Sequence, residues 1–563
     1  MNFKIRVSSL LLLALTALGS LSAMAYPSTP VEKICDQYPK RSKLLGEAEF
    51  EMIQKELINY PADWLQEFCL GNPELVLNNG VMTIYRHGQK NAIILINRDR
   101  NVADIAFAEI SFDYSIAQAA VTMSDGIQIP TLVFKPSLKK ATTVPALLVR
   151  SPYFSKGISF TNYLAAVKNG IAVVLQPARG TSNAPGDFEW LNWKQEAKDA
   201  NATMNWITQQ KWFNGDIYAA GVSYDGFLAL AAATTNHPAL QAALPTSAPW
   251  NPSADSLSAH GNGVLAMKYT TGLNWDGNTR PAAIDKLART SKNYDELLEN
   301  ARRTFGVHLR SLTQKQLAKK SEDFLAALKK TKATMIYSYG FRDDQDSRDV
   351  INLAKHMQGL KNHYFVTHGY GHSGFISLSM LTNMHTEGKA SASEISKSVS
   401  TFFKSKSACL VSTDNQGLFV KNCSDDVNTI WKVGRVVVTL DQPLHSEKGI
   451  INPMWSNPAK ANVLGQRKIK LKITAPAKDL TIAIDTVSVQ DGKMEFDTQA
   501  SGSEIIHLKK GTNNYEITSQ HEFFEFQPTA YGLYIRNINY LTGEILENSI
   551  LTLESVSYDL PLY

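Results

Sequence analysis

The stretch that decides the fold is Asp216–Gly226, which reads Asp-Ile-Tyr-Ala-Ala-Gly-Val-Ser-Tyr-Asp-Gly. Its apolar first half predicts a short buried strand, and the residues after it predict a helix. Ser223 falls at the turn between them, with glycines two residues before it and three residues after it. A strand, turn and helix of this kind present a serine hydroxyl above the end of a sheet, where a substrate can reach it. The pattern predicts a nucleophile, with an ordinary turn serine as the alternative.

Apolar runs around this stretch predict the sheet to which its strand belongs. The clearest predicted strands are residues 144–149, 170–175, 333–339 and 362–367. An amphipathic helical pattern follows the run at 170–175. A charged helical stretch precedes the run at 333–339. Alternating strands and helices indicate a right-handed, mainly parallel sheet with helices on both faces. The charged helical stretch predicts a cap over the catalytic face.

The chain divides into five predicted segments. The C-terminal region has short strands separated by turns such as Asp491-Gly492, which is typical of an antiparallel β-sandwich. The N-terminal extension has no clear role; a dimerisation arm, an extra lid and a support for the sandwich remain open. The segments are a signal peptide (1–25), the N-terminal extension (26–107), an α/β domain (108–248 and 333–425), a helical cap (249–332) and the β-sandwich (426–563).

Length and composition set limits on function. The chain has 563 residues, of which 44% are hydrophobic and 19% charged, as expected for a folded protein of two or three units. Its formal net charge is +5, and loss of Lys4 and Arg6 with a leader would lower it to +3. No basic stripe is present, so a nucleic-acid partner is not expected. The chain contains neither His-Glu-x-x-His nor Gly-x-x-x-x-Gly-Lys-Ser/Thr, so we expect no metal and no nucleotide cofactor.

The N-terminus predicts export. Lys4 and Arg6 precede an apolar stretch from Leu10 to Leu21, and Ala23–Ala25 fits a small-x-small cleavage site. An uncleaved membrane anchor is the alternative. We expect cleavage near Ala25 and a periplasmic or secreted protein without a membrane partner.

Four cysteines suit an oxidising compartment. Their spacings match no zinc motif, and we favour the pairs Cys35–Cys69 and Cys409–Cys423 because these close locally. Four free thiols are the alternative.

A nucleophilic serine needs a base and an acid. Asp343, Asp344 and Asp346 follow one predicted strand, and spacing alone does not choose among them. His372 follows the next strand in a Gly-His-Ser-Gly loop and is preferred as base to His368 and His363, of which His363 is interpreted as structural. Serine, acid and histidine in this chain order are typical of the α/β-hydrolase fold.

Several spaced motifs resemble those of the Xaa-Pro dipeptidyl-peptidase family, which includes cocaine-esterase-like enzymes and α-amino-acid ester hydrolases. Gly221–Gly226 matches that family's Gly-x-Ser-Tyr-x-Gly elbow. Residues 150–153 resemble its Arg-Thr-Pro-Tyr segment, and residues 176–180 its Gln-Asp-x-Arg-Gly stretch. Pro177 stands where the family usually has Asp, and Arg342 where it usually has an aromatic residue.

The resemblance implies a fold and a set of roles. The expected fold is α/β: an α/β-hydrolase domain with an inserted helical cap and a C-terminal jelly roll. The implied triad is Ser223, Asp343 and His372, with Asp346 as the second choice of acid. The implied oxyanion hole consists of the Tyr153 hydroxyl and the backbone N–H of Tyr224.

Substrate and partners follow less directly. We expect hydrolysis of small acyl esters or amides, including α-amino acyl esters; release of N-terminal dipeptides from Xaa-Pro peptides is the alternative. Asp225, Asp344 and Asp346 are candidates for binding a substrate ammonium, and Trp250 for lining an acyl pocket. A non-catalytic binding protein on a hydrolase scaffold is the alternative outside enzymes, and a homo-oligomer is an open possibility.

Overall fold

The computed structural model describes the chain from residue 64 to residue 562, with gaps. The described residues are 64–78, 82–96, 102–110, 114–137, 143–153, 163, 166–181, 184–189, 191–250, 286–292, 296–297, 300, 303, 314–340, 353, 356–357, 360, 362–368, 408–414, 417–421, 430–431, 434–440, 442–457, 463–477, 480–490, 493–496, 504–525, 529–539 and 545–562. Among these residues, no helix has both the length and the apolarity that a membrane crossing requires.

Contacts divide the chain into two compact units, and the first comprises residues 1–94 and 104–110. A four-stranded sheet dominates its described part, in the order β1-β2-β3-β4. Trp64 and Phe68 stack at 5.5 Å between ring centroids and are buried, so the short helix α1 has an apolar face of its own. The elements are α1 (Trp64–Leu70), β1 (Glu74–Asn78), β2 (Met82–His87), β3 (Lys90–Ile96) and β4 (Val102–Glu109).

An eleven-stranded sheet forms the core of the second unit. Its strand order is β15-β14-β13-β12-β11-β10-β9-β7-β8-β6-β5. The strands are β5 (Tyr114–Thr122), β6 (Gln128–Pro136), β7 (Val144–Ser151), β8 (Ala172–Pro177), β9 (Phe213–Val222), β10 (Leu240–Thr246), β11 (Thr334–Gly340), β12 (His363–His368), β13 (Ala408–Asp414), β14 (Gly417–Lys421) and β15 (Ile430–Trp431).

The sheet is mixed rather than mainly parallel. Six central strands form parallel pairs with one another, in the spatial order β12-β11-β10-β9-β7-β8. The pairs beyond them on both sides are antiparallel. The prediction of a mainly parallel sheet is therefore wrong at both edges, where apolar runs alone do not reveal strand direction.

The helices packed on this sheet are α2 (Trp193–Thr208), α3 (Tyr224–Ala233) and α4 (Gln314–Leu328). Every residue of α3 is buried, as expected for a helix covered on all sides. Phe324 of α4 stacks on Trp193 at 5.3 Å between ring centroids and contacts Phe227 edge-on at 5.5 Å. Helix α4 lies inside the predicted cap segment, so this part of the segment packs on the core. The cap itself stays a prediction.

Two further antiparallel sheets follow toward the C-terminus. One has five strands and the other six, and residues from both belong to one apolar core that includes Leu471, Ile484, Leu533 and Val556. The strands are β16 (Gly434–Thr439), β17 (Leu444–His445), β18 (Ile450–Ile451), β19 (Met454–Ser456), β20 (Val463–Ala475), β21 (Leu480–Gln490), β22 (Lys493–Phe496), β23 (Glu504–Leu508), β24 (Gly511–Glu525), β25 (Ala530–Ile538) and β26 (Thr552–Leu562). A jelly-roll topology remains an expectation.

The predicted disulfides and segment boundaries also stay predictions. Cys69 lies in α1 and Cys409 in β13, whereas Cys35 and Cys423 lie outside the described residues.

Candidate active site

Ser223 occupies the bend between β9 and α3. Its backbone has φ 60° and ψ −130°, a conformation that a non-glycine residue adopts only at a cost of about 1–3 kcal/mol. The Ser223 N–H donates to the carbonyl of Thr246 at 2.9 Å, and the Ser223 carbonyl accepts the N–H of Phe227 at 3.1 Å. These two bonds hold the strained residue at the edge of the sheet. The strained elbow predicted from the sequence pattern is present.

The two glycines of the motif are required by space. A Cβ at Gly221 in β9 would overlap the backbone of Asp225, four residues later in the first turn of α3. A Cβ at Gly226 would lie 2.8 Å from the Cβ of Ala248 and 2.9 Å from the carbonyl oxygen of Thr246. The glycines therefore allow α3 to begin directly against β9 and β10, which brings the N-terminus of the helix up to Ser223.

Tyr224 begins α3 with its side chain in the core. Its hydroxyl accepts the N–H of Leu191 at 3.0 Å, and its ring lies 5.5 Å from Phe188 and 5.0 Å from Phe227 between centroids. Burial raises the pKa of Tyr224 well above its usual value. The side chain anchors the helix, while the backbone N–H lies at a helix N-terminus, where the helix dipole favours negative charge. Its predicted oxyanion role concerns that N–H and stays a prediction.

Tyr153 lies just beyond the carboxyl end of β7. It is half-buried and packs against the apolar core. Its N–H donates to the Oγ of Ser151 at 3.1 Å. Tyr153 is also close enough to Tyr224 to contribute to the raised pKa of that residue. The core cluster against which Tyr153 packs includes Tyr224.

The predicted substrate contacts Asp225 and Trp250 are both buried, at 6% and 4% exposure. Burial raises the pKa of Asp225 well above its usual value, against a smaller opposing effect of the nearby Ser151. The Trp250 ring lies edge-on to His356, with 6.0 Å between centroids. Their contact with substrate stays a prediction.

The strands that precede the predicted acid and base end at the same edge as Ser223. Strands β9 to β12 are parallel and consecutive in the sheet. At the end of β10, Thr246 lies beside Val222 on one side and Ser338 on the other. Gly340, the last residue of β11, lies beside His368, the last residue of β12. Loops that follow these four strands therefore begin at one edge.

Asp343, Asp344, Asp346 and His372 lie outside the described residues. Asp343 follows Gly340 by three residues, and His372 follows His368 by four. Their roles as acid, second acid or ammonium contact, and base stay predictions.

His363 lies at the opposite end of β12. Its Nδ1 is 3.0 Å from the hydroxyl of Tyr337, and its Nε2 is 3.4 Å from the Oγ1 of Thr331. Burial lowers the pKa of His363 to about 4. A neutral ring with both nitrogens near hydroxyls fits a structural residue.

A buried ionic cluster beneath the elbow was not predicted. Arg150 donates to Glu196 Oε2 at 2.7 Å and to Gln176 Oε1 at 2.9 Å, and both charged side chains are at most 4% exposed. Arg179 makes a bidentate ion pair with Asp199: its Nη2 donates to Oδ1 at 2.7 Å and its Nε to Oδ2 at 2.9 Å. The two ion pairs join β7 and the segment just after β8 to α2.

The outer end of this cluster reaches the surface. Arg179 also donates to Asp125 Oδ2 at 2.6 Å, and Asp125 is half-exposed. Arg179 lowers the pKa of Asp125, and Asp199 and Asp125 together raise that of Arg179. Arg150, Gln176 and Arg179 occur in the motif segments quoted above, but only the fold shows which residues they contact.

The comparisons with known proteins agree with this geometry. A family described as X-Pro dipeptidyl-peptidase (S15 family) matches residues 125–374, a range that contains the elbow. The cocaine esterase of Rhodococcus sp. (strain MB1 Bresler) is 33% identical over 159 residues, which are 26% of this chain and 27% of the esterase. The match thus spans about a quarter of that curated relative.

Solved structures extend the comparison to the fold. An aminopeptidase from the marine sediment archaeon Thaumarchaeota archaeon has a TM-score of 0.54 at 14% identity, covering 80% of this chain and 97% of its own. A CocE/NonD family hydrolase from Staphylococcus aureus has a TM-score of 0.52 at 13% identity, covering 88% and 100%. The predicted α/β-hydrolase core is confirmed. The family match bears out the resemblance of this chain to the X-Pro dipeptidyl-peptidase family.

Proposed function

We propose that this protein is an exported serine hydrolase that cleaves small acyl ester or amide bonds through an acyl-enzyme on Ser223. The observation that carries the proposal is the strained backbone of Ser223 at the end of β9, held by Thr246 and followed at once by a buried helix. Strain of this kind persists where the surrounding structure enforces it, and it is common at catalytic residues. The matched family and the esterase relative support the same reaction class.

In the proposed reaction, the Oγ of Ser223 attacks the substrate carbonyl carbon while His372 takes the hydroxyl proton. Asp343 orients the imidazole and stabilises its charged form. The negative charge on the former carbonyl oxygen is met by the Tyr153 hydroxyl and the Tyr224 N–H. His372 then donates the proton to the leaving group, and water hydrolyses the acyl-enzyme by the reverse sequence. One such oxyanion donor contributes about 100- to 1,000-fold to kcat.

Replacing Ser223 tests the proposal directly. We expect Ser223→Ala to abolish hydrolysis of p-nitrophenyl acyl esters, with a loss of kcat of about a million-fold if the triad acts as a unit. Thermal unfolding of the variant should show an intact fold. Turnover retained by the folded variant would refute the proposed nucleophile.

Release of N-terminal dipeptides is a second candidate, because the matched family carries that description. Turnover of an Ala-Pro anilide, an α-amino ester and a simple aromatic ester should be compared on one preparation. We expect the esters to be preferred, since the curated relative is an esterase. Preference for the anilide would favour the peptidase.

Export and domain organisation complete the proposal. We propose cleavage after Ala25, a helical cap between β10 and β11, and a jelly roll at the C-terminus. Expression with the native N-terminus in a bacterial host, followed by N-terminal sequencing, should give a chain that begins at Tyr26. A chain that retains Met1 in the membrane fraction would contradict export by cleavage.

A further inference from the structure

The hydroxyl of Tyr224 connects the elbow to a second turn of the chain. It accepts the N–H of Leu191 at 3.0 Å, and both residues are buried. Tyr224 follows Ser223 directly and is the first residue of α3. Leu191 lies two residues before the start of α2. One hydrogen bond therefore ties the residue next to the candidate nucleophile to the beginning of another helix.

The turn that contains Leu191 is itself held in place. Leu191 has φ 54°, a left-handed conformation that a leucine keeps only where its surroundings enforce it. Its side chain is 1% exposed and belongs to the same apolar cluster as Tyr224. The next residue, Asn192, caps α2 by accepting the N–H of Gln195 at 3.3 Å, and its Nδ2 donates to Glu189 at 2.8 Å. A fixed turn thus presents the Leu191 N–H to Tyr224.

The hydroxyl can be separated from the rest of the Tyr224 side chain. The ring packs against Phe188 and Phe227, and a phenylalanine would keep both contacts. It would remove the oxygen that accepts the Leu191 N–H, and a buried N–H without an acceptor is unfavourable. Loss of this single atom therefore breaks the connection and leaves the apolar packing in place.

The connection bears on the proposed reaction through the backbone of Tyr224. An oxyanion donor is effective when it is fixed in position before the charge develops. The bonds to Thr246 and Phe227 fix Ser223, whereas the bond from Leu191 fixes the side chain of the residue that carries the proposed donor. We propose that the Tyr224 hydroxyl is a positioning group, which binds the Leu191 N–H and thereby holds the Tyr224 N–H in place for the oxyanion. The inference rests on the proposed function, because that N–H meets an oxyanion only in that reaction.

The test compares Tyr224→Phe with wild type in the hydrolysis of phenyl acetate. We expect kcat to fall with little change in KM, because the donor is misplaced in the transition state while ground-state binding is kept. The loss should be about 10- to 100-fold, no larger than that of removing an oxyanion donor outright.

Inhibition by 2,2,2-trifluoroacetophenone gives a second measurement. The Oγ of Ser223 bonds to the carbonyl carbon of this ketone, the hydroxyl proton passes to His372, and the carbonyl oxygen becomes an oxyanion. The inhibition constant should rise in Tyr224→Phe by about the factor by which kcat falls, because the adduct resembles the transition state. A loss of stability alone would not change the affinity of the folded protein for the ketone.

Tyr337→Phe is the matched control. Tyr337 is a fully buried tyrosine of β11, and its hydroxyl lies 3.0 Å from the Nδ1 of His363. Its replacement should lower the denaturation midpoint about as much as Tyr224→Phe does, and should leave kcat and the inhibition constant unchanged. Equal losses of kcat in the two phenylalanine variants would overturn the inference, because any buried tyrosine hydroxyl would then have the same effect.

Wild-type kcat in folded Tyr224→Phe would also overturn the inference, and so would a raised KM at unchanged kcat. If Tyr224→Phe does not fold, Asn192→Ala decides the question. This variant keeps the hydroxyl but loosens the turn that presents the Leu191 N–H, so kcat should fall, and an unchanged kcat would contradict the positioning role. Wild-type protein that neither hydrolyses phenyl acetate nor binds the ketone would contradict the proposed function itself. Active wild-type protein with an unaffected Tyr224→Phe variant contradicts only the positioning role.

Discussion

The central strands of the large sheet and the strands of the C-terminal sheets bury their side chains in different ways. All eight residues of β7 are buried. In β20, by contrast, Leu471 is buried while its neighbours Lys470 and Lys472 are exposed. Strands covered on both faces leave substrate access only at their ends, where loops begin. Ser223 lies at such an end, which is why the candidate chemistry collects there.

Buried charge differs between the two regions as well. The large sheet has a cluster in which two arginines meet Glu196 and Asp199, with all four side chains at most 7% exposed. The C-terminal sheets have the single pair Asp485–Arg536 among the buried ion pairs of the described residues, and its arginine is 17% exposed. From this comparison we expect substitutions in the first region to affect both stability and activity, and substitutions in the second to affect stability alone.

Breaking the ionic cluster should give the largest loss of stability. Arg150→Met removes the ion-pair partner of Glu196 and leaves a buried carboxyl group without its compensating charge. Such a loss typically lowers the free energy of unfolding by about 3–5 kcal/mol. Denaturant unfolding measures this loss. The unfolding free energy of Arg150→Lys should lie between those of Arg150→Met and wild type. A lysine keeps the positive charge but cannot hydrogen-bond to Glu196 and Gln176 at the same time. A loss below about 0.5 kcal/mol, as for an ordinary surface site, would show that the cluster is not structural.

Truncating the core of the C-terminal sheets should reduce stability but not activity. Leu471→Ala is expected to cost about 2–5 kcal/mol through lost burial and the cavity left behind. We expect kcat of the folded protein to stay at the wild-type value. Lys470→Ala is the matched control one residue away; its ion pair with Glu516 is 3.4 Å long and exposed, and its loss should cost about 0–1 kcal/mol. A large loss of kcat in Leu471→Ala would contradict the separation of the two regions.

The smallest expected effect is the pH dependence of stability that comes from His363, at the end of β12 opposite the candidate site. His363 has a pKa of about 4 in the folded protein, whereas an unfolded histidine titrates near 6.5. The unfolded chain therefore binds an extra proton between these values, and stability falls as pH decreases from 6.5 to 4. The full difference is about 3 kcal/mol. Unfolding free energies at pH 7 and pH 5 should differ less in His363→Gln than in wild type, and equal differences would refute the buried neutral ring.

Local patterns predicted much of the core. The apolar run at 144–149 lies in β7, and the amphipathic helical pattern predicted after the run at 170–175 corresponds to α2. The Gly-x-Ser-x-x-Gly pattern located the elbow, because only glycines fit beside Asp225 and Ala248. These features depend on neighbours that are close along the chain.

Features that depend on distant residues were not predicted. Arg150 and Glu196 are 46 residues apart, and Arg179 and Asp125 are 54 apart. The antiparallel edges of the large sheet have the same origin, because strand direction is set by pairing and not by hydropathy. The burial of Asp225 is a further example: it is 6% exposed in the first turn of α3, which its charge in the sequence does not indicate.

Labelling with a fluorophosphonate, followed by peptide mass mapping, tests the central assignment most directly, since only an activated serine reacts. We predict one labelled peptide, modified at Ser223, with labelling strongly slowed in His372→Ala and unchanged in His363→Gln. An unlabelled protein, a label on another residue, or equal rates in wild type and His372→Ala would contradict the proposed hydrolase.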